Sequence, residues 1–258
     1  MKLLVFAHVP PPHHGQSQMV KLMVDGFRAQ RDLGIEVLHV DARLSSGMAD
    51  VGSIRGGKVQ ALLRYCWQAI ALSHQQGCRT LYYIPSPPKR SSLYRDFLVM
   101  ALIRWRFNQV ILHWHAVGLG AWLESESWFW ERGLARVFLG RVQQAIVLAA
   151  SNRADAESLR PRSVAVVSNG IPDPCPDFSQ TLGEWRARGS ARLETQVLFM
   201  AHCTRDKGLF GAVEAVVAAG AFAMARTARI NAWWAVDGQP ACKISYHGRG
   251  GGGTSEDE

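Results

Sequence analysis

The hydrophobic positions of this chain alternate between short apolar runs and helical repeats, from the first residues to about position 167. The runs are nearly continuous rather than alternating, which indicates strands buried on both faces of a parallel sheet. The predicted strands are Lys2–Ala7, Ile35–Val40, Thr80–Ile84, Gln109–His113, Ala145–Leu148 and Ser163–Val167. Five helices are predicted between them. The first begins at Ser17, and the others cover Lys58–Gln75, Leu93–Phe107, Trp128–Val142 and Arg153–Leu159.

This alternation predicts an α/β fold with a doubly wound parallel sheet, in one complete Rossmann-like domain that we place at residues 1–175. The stretch 176–195 follows a proline-rich segment and is interpreted as a linker. A new strand and helix pattern at 196–219 then opens a second domain. The sequence therefore predicts one whole domain followed by the first βα unit of another.

Residues 220–258 have no convincing helical or strand period, and we expect no regular structure there. Two interpretations remain open. The segment is either a natural disordered tail or an out-of-frame read-through after a lesion in the gene. The second is favoured because the pattern breaks abruptly in the middle of a predicted helix.

The composition is that of a soluble globular protein, with 48% hydrophobic and 19% charged residues. No apolar run is long enough to span a bilayer, and a cytoplasmic location is expected. A net charge of +8 indicates an anionic partner, which could be nucleic acid, anionic lipid or a phosphorylated substrate. Five widely spaced cysteines without a CxxC pair argue against a disulfide framework and a zinc ribbon.

The first candidate site is the loop after the first strand. Gly15 and Gln16, preceded by His14, stand where the strand ends and the first helix begins. A helix N-terminus at the carboxyl end of a parallel strand favours anionic ligands. The alternative is an ordinary helix start with Ser17 as its N-cap.

The second candidate is His113-Trp114-His115, at the end of a mid-domain strand. Strand alternation places His113 and His115 on the same side, facing the same sheet edge as the Gly15 loop. Uncharged imidazoles there could bind a polar substrate through hydrogen bonds. Two structural histidines, or half of a metal site, are the alternatives. No carboxylate cluster accompanies the pair, so no metal is expected.

Two turns supply the remaining candidates. Asn169-Gly170 follows the last strand of the first domain, where an Asn-Gly pair also predicts a simple turn. Arg205, Lys207 and Gly208 follow the strand that opens the second domain. Two cations beside a glycine can neutralise a diphosphate. A solvated surface turn is the alternative there, and no Walker A sequence occurs.

The segment Tyr94–Phe107 combines large apolar residues with three arginines. An interfacial helix on anionic lipid has this composition, and so does a helix packed on the sheet with a basic outer face. We favour the packed helix.

Together these segments resemble glycosyltransferase family 4, the retaining nucleotide-sugar transferases of the GT-B fold. The resemblance covers residues 1–217 and rests on the order of the motifs. They are Pro10–Ser17, His113–His115, Ser168–Asp173, Val197–Phe199 and Arg205–Gly208. Two positions depart from the family pattern: Gln16 stands where a second glycine is common, and His202 stands where an arginine is common.

The resemblance implies a role for each candidate. His115 would contact the transferred sugar and is the predicted catalytic residue. The donor diphosphate would be bound by a set from both predicted domains: Gly15, Arg205, Lys207 and Gly208. The acceptor and sugar side would be formed by His14, Gln16, His113 and Asn169. No cofactor is implied apart from the nucleotide sugar as co-substrate, and no metal.

The expected activity is transfer of a sugar from a nucleotide sugar to a glycan or lipid-linked acceptor, with possible peripheral association with an anionic membrane. The family's later glycine-rich loop and Glu-x7-Glu motif have no counterpart in the sequence, so the second domain is interpreted as truncated and little turnover is expected. Two alternatives remain. One is a non-catalytic module that binds acceptor, membrane or partner. The other, a basic nucleic-acid-binding protein, is supported by no motif, and nucleic acid is not the expected partner.

Overall fold

The structure of the protein is a computed structural model. It describes residues 1–11, 15–43, 56–173, 195–199, 208, 210–215, 228–236 and 239–248. The chain divides into two compact units, Met1–Pro172 and Asp173–Glu258.

The first unit is an α/β structure built on six parallel strands, as the hydrophobic pattern predicts. The strands are β1 (Lys2–Phe6), β2 (Glu36–Val40), β3 (Thr80–Tyr83), β4 (Gln109–Trp114), β5 (Gln144–Val147) and β6 (Val164–Val166). Their order across the sheet is β2-β1-β3-β4-β5-β6. Because β2 and β3 lie on opposite sides of β1, the winding direction reverses next to β1. Ligands of open parallel sheets bind at such a reversal, outside the carboxyl ends of the strands.

Among the described residues, six α-helices connect the strands of this unit. They are α1 (Gly15–Ala29), α2 (Gly56–Gln76), α3 (Arg90–Ile103), α4 (Leu119–Ser125), α5 (Phe129–Phe138) and α6 (Arg153–Glu157). The predicted helix over Leu93–Phe107 begins three residues earlier, and its last turn, Arg104–Arg106, is a 3₁₀ helix. The predicted helix over Trp128–Val142 is shorter, and α4 precedes it without having been predicted.

Two apolar clusters lie on the two faces of the sheet because alternate residues of each strand point in opposite directions. On β1, Leu3 and Val5 pack with Val20 and Val24 of α1. The other side of β1 belongs to a larger cluster that draws on α2 to α6, with Leu4, Leu62, Leu93, Leu119, Ala135 and Ala156 among its members. Helix α3 contributes buried apolar residues to this cluster, which confirms the packed interpretation of Tyr94–Phe107.

The second unit contains a three-stranded sheet. Its strands are β7 (Thr195–Phe199), β8 (Ala228–Val236) and β9 (Gln239–Gly248), and a short helix lies at 210–215. Strand β8 pairs parallel with β7 and antiparallel with β9.

Strands β8 and β9 differ from the expectation that 220–258 has no regular structure. The aromatic and β-branched residues of this stretch favour strands, among them Ile230, Trp233, Trp234, Ile244 and Tyr246. A βα repeat does not predict these two strands, because β9 follows β8 directly and pairs with it in the antiparallel direction.

Candidate functional site

The two predicted histidines lie next to each other at the carboxyl end of β4. The ring centroids of His113 and His115 are 4.2 Å apart, with an angle of 45° between the ring planes. Both residues are half-buried. The spacing of two positions along an extended chain therefore places the rings on one side, as the sequence predicts.

A third residue, Tyr82 on the neighbouring strand β3, completes this group. Its hydroxyl donates a hydrogen bond to Nδ1 of His113, and the two rings meet edge to face at 5.8 Å. Tyr82 is 3% exposed, and burial raises the pKa of its hydroxyl, so the hydroxyl stays protonated. We assign the hydroxyl as the donor because a phenol is the stronger donor and an unprotonated imidazole nitrogen the stronger acceptor. This assignment places the proton of the neutral His113 ring on Nε2.

The His113 ring is uncharged at neutral pH. Burial, together with the neighbouring His115, lowers the pKa of His113 to about 3, and burial also lowers the pKa of His115. Nε2 of His113 is buried and has no hydrogen-bond partner within the part of the chain that the structure describes. A buried N–H donor without a partner is costly to a fold, so this atom is suited to bind an acceptor oxygen of a ligand.

The first predicted loop lies at the carboxyl end of β1. Helix α1 begins at Gly15, and Gln16 is half-buried in its first turn. Ser17 is the third residue of α1 and is fully buried, so the alternative interpretation that made it the N-cap does not hold. Apart from its chain neighbours and the backbone of α1, no heavy atom of the described residues lies within 4 Å of the place where a Cβ of Gly15 would stand. His14 lies outside the described residues.

The sequence did not reveal what holds the start of this loop. Nε2 of His39 donates to the carbonyl oxygen of Ala7 at 2.8 Å, and the backbone N–H of Val9 donates to Oδ1 of Asp41 at 3.2 Å. Nη2 of Arg43 lies 2.6 Å from the other oxygen of Asp41. The end of β2 therefore fixes the path of the chain as it leaves β1.

The loop after β4, which contains His115, is held by α6. Asp155 accepts hydrogen bonds from the backbone N–H groups of Gly118, Gly120 at 2.7 Å and Ala121 at 3.3 Å. A carboxylate at a helix N-terminus satisfies N–H groups that have no partner within the helix. Gly118 has a φ of 96°, which favours glycine, and a Cβ on Gly120 would approach Oγ of Ser158 to 2.7 Å. Asp155 therefore positions the chain just beyond His115.

The loop after β3 is anchored by a buried carboxylate. Asp96 is fully buried and accepts hydrogen bonds from the Tyr83 hydroxyl and the Ser86 backbone N–H, each at 2.7 Å. The Ser86 hydroxyl also donates to Asp96, and Nη2 of Arg95 lies 3.1 Å away. Such paired charges with satisfied hydrogen bonds specify one conformation of a loop.

The remaining predicted residues are Asn169 in the first unit and Arg205, Lys207 and Gly208 in the second. Asn169 is exposed and follows β6, two strands away from β4 in the sheet. Arg205 and Lys207 lie outside the described residues. Gly208 belongs to the second unit and has a φ of 80°, and its carbonyl oxygen accepts the N–H of Ala212 at 2.9 Å. The turn that the sequence predicts at Gly208 is thus present at the start of the short helix.

Within the described ranges, no three His, Cys, Asp or Glu side chains are grouped so that they could hold a metal ion. Over the same ranges, no helix is long and apolar enough to cross a membrane. Cys66 and Cys78 are buried free thiols.

Comparisons with known proteins gave matches among solved structures alone. A scan against protein-family models found no match, and a search of curated proteins found none. The chain is similar to HepE of Anabaena in complex with UDP, with a TM-score of 0.42 and 11% identity over 84% of this chain. It is also similar to MurG of Acinetobacter baumannii, with a TM-score of 0.32 and 15% identity over 78% of this chain. This chain spans 58% of the HepE chain and 52% of the MurG chain.

Proposed function

We propose that this chain is a GT-B glycosyltransferase related to family 4, which transfers a sugar from a nucleotide sugar to a glycan or lipid-linked acceptor. The observation that carries the proposal is the pair of uncharged histidines at the carboxyl end of β4. The winding of the parallel sheet reverses next to β1, and the pair lies at the end of β4, two strands away from β1.

The geometry favours binding over proton transfer as the role of these rings. A histidine whose pKa is about 3 is neutral at neutral pH and is too weak a base to take up a proton there. Its Nε2–H can still donate to a hydroxyl or ring oxygen of a sugar. We assign His115 to the transferred sugar and His113 to the sugar or acceptor side.

The diphosphate of the donor would be bound by Gly15, Arg205, Lys207 and Gly208, as the resemblance implies. Negative charge on the leaving nucleoside diphosphate grows as the glycosidic bond breaks, and cations and N–H dipoles stabilise that charge. Neither a hydrolase-like pair of carboxylates nor a metal is part of this mechanism.

The test uses calorimetric titration of a panel of nucleotide sugars and of the corresponding nucleoside diphosphates. We expect Lys207→Ala to weaken binding of both ligand types by roughly tenfold or more, since a hydrogen bond to a charged group is lost. His115→Ala should weaken binding of the nucleotide sugar and leave the free diphosphate unaffected. Sequence analysis predicts little turnover, so binding is measured alongside sugar transfer.

The matched control is His74→Ala, which removes an exposed histidine on α2. Its ligand affinities should equal those of the unaltered chain. The proposal is wrong if no nucleotide sugar of the panel binds, or if His115→Ala and His74→Ala bind the nucleotide sugar with equal affinity.

A further inference from the structure

Helix α5 packs Ala135 and Phe138 against the core, but it also carries large apolar side chains on its outward side. Its inward side contains Glu131, which is fully buried, and its outward side contains Phe129 at 84% exposure and Val137 at 63%. Surface helices normally bury their apolar stripe and expose their charges. These two exposed apolar side chains lie outside the stripe that packs on the core, and they make the outward side of α5 available for an apolar contact.

The buried carboxylate of Glu131 fixes the start of α5 in this orientation. It accepts the Trp128 backbone N–H at 2.8 Å and the Tyr94 hydroxyl at 2.5 Å, and Nε of Arg90 lies 3.3 Å away. Burial acts to raise the pKa of Glu131, but these hydrogen bonds and the Arg90 charge outweigh it and lower the pKa. The carboxylate of Glu131 therefore stays ionised, and the aromatic residues that flank it in the sequence are exposed.

Three of these aromatic rings are joined by pairwise contacts, and Phe129 is adjacent to two of them in the sequence. The rings of Tyr94 and Trp130 stack with centroids 5.8 Å apart, and Trp128 meets Trp130 edge to face at 6.2 Å. Trp128 is 61% exposed, and Phe129 stands between the two tryptophans in the sequence. We call Tyr94, Trp128, Phe129 and Trp130 the aromatic surface. Contiguous apolar patches of this kind mark contact sites, whereas single exposed apolar residues do not.

Basic side chains border the aromatic surface. Arg90 stacks over the Trp122 ring at 5.4 Å and donates to the carbonyl oxygen of Glu126 at 2.6 Å. Arg136 is exposed on α5. It lies one helical turn after Arg132 and two turns after Phe129. The exposed acidic residues nearby in sequence are Glu124 and Glu126, since Glu131 is buried against Arg90.

We propose that the aromatic surface docks on a lipid bilayer that contains anionic lipids. Tryptophan and tyrosine place an apolar ring in the acyl boundary and a polar group in water, and arginine pairs with lipid phosphates. A second copy of the chain fits less well, because a two-fold contact would bring the arginines of both copies together. This docking does not depend on the proposed transferase activity.

The experiment is co-sedimentation of the full chain with phosphatidylcholine vesicles, with and without phosphatidylglycerol. We expect binding to the mixed vesicles and weaker binding to pure phosphatidylcholine. Phe129→Ala should weaken binding to mixed vesicles by roughly tenfold, because a ring that enters the interface is lost. Arg136→Gln should reduce the preference for the anionic lipid.

The matched control is Trp67→Ala, which removes a ring that is 72% exposed on α2. It should bind vesicles as the unaltered chain does, and thermal unfolding should confirm that all variants are folded. Absence of vesicle binding by the unaltered chain would overturn the proposal, as would equal losses in Phe129→Ala and Trp67→Ala. A dimer in vesicle-free solution that dissociates on Phe129→Ala would assign the surface to self-association instead.

Discussion

A single residue, His113, couples the candidate site to the stability of the fold. Its pKa lies at about 3 in the folded chain, against an ordinary value of 6.5. Between these values the unfolded chain binds a proton that the folded chain does not, so stability falls as the pH falls from 6.5 towards 3. Above pH 6.5 the penalty is absent.

We therefore expect His113→Gln to flatten this pH dependence. Glutamine keeps hydrogen-bonding groups near Tyr82 but cannot ionise. Urea denaturation at pH 7 and pH 5 should show a smaller loss of unfolding free energy in the variant, with a residual loss from His115. His74→Gln, at an exposed position, should keep the full dependence. The same loss of unfolding free energy between pH 7 and pH 5 in the unaltered chain, His113→Gln and His74→Gln would contradict the buried, uncharged state of His113.

The residues that sequence reasoning found and missed differ in the information they need. His113 and His115 follow from alternation along one strand. Tyr82 contacts His113 because β3 and β4 are neighbours with a particular register, in which Tyr82 pairs with Ile111. Nothing local in the sequence reports that pairing, although alternation on the adjacent strand would have suggested Tyr82 once the strand order was known.

At the scale of elements, the start of α4 depends on Asp155 of α6. Asp155→Ala removes the acceptor of three backbone N–H groups and should lower the free energy of unfolding by about 1–2 kcal/mol. Urea denaturation measures this loss. Asp155→Asn keeps one acceptor oxygen, so its free energy of unfolding should lie between those of the unaltered chain and Asp155→Ala. Glu157→Ala on the same helix removes an exposed partner of Arg153 and should change stability little. A loss in Glu157→Ala as large as in Asp155→Ala would refute this role.

The same contact explains why α4 was not predicted. Helix α4 has seven residues, and its first N–H groups are satisfied by a residue far along the chain. Hydrophobic periodicity reports only local spacing, and the helix predicted from it over Trp128–Val142 begins after α4 has ended. It identified the strands of the first sheet because each is a short apolar run between clear breaks, such as Thr80–Tyr83 before Pro85.

At the scale of the whole molecule, the first unit contains everything its core requires. Both apolar clusters and all six strands of the parallel sheet lie within Met1–Pro172. We expect a fragment of residues 1–172 to fold alone and unfold cooperatively in thermal circular dichroism. A fragment of residues 1–158 lacks β6 and the buried Leu159 and should melt lower. An unfolded 1–172 fragment would show that the unit is not autonomous.

The domain organisation that we infer from the sequence, with a first domain over residues 1–175, stays a prediction. The division after Pro172 falls close to the predicted domain boundary at 175. The assignment of 196–219 to a donor-binding domain is still a prediction. Arg205 and Lys207 lie outside the described residues, and their role rests on the resemblance alone.

The position of β1, paired on both sides and next to the edge strand β2, has a consequence for synthesis. Leu4 and Val5 are fully buried, and β1 pairs with β2 on one edge and with β3 on the other. Strand β2 follows directly after α1, but β3 leaves the ribosome only after the whole of α2. Until then one apolar edge of β1 stays open to other nascent chains. Strand β1, although it is made first, is thus paired on both sides only after residues up to Tyr83 have been synthesised.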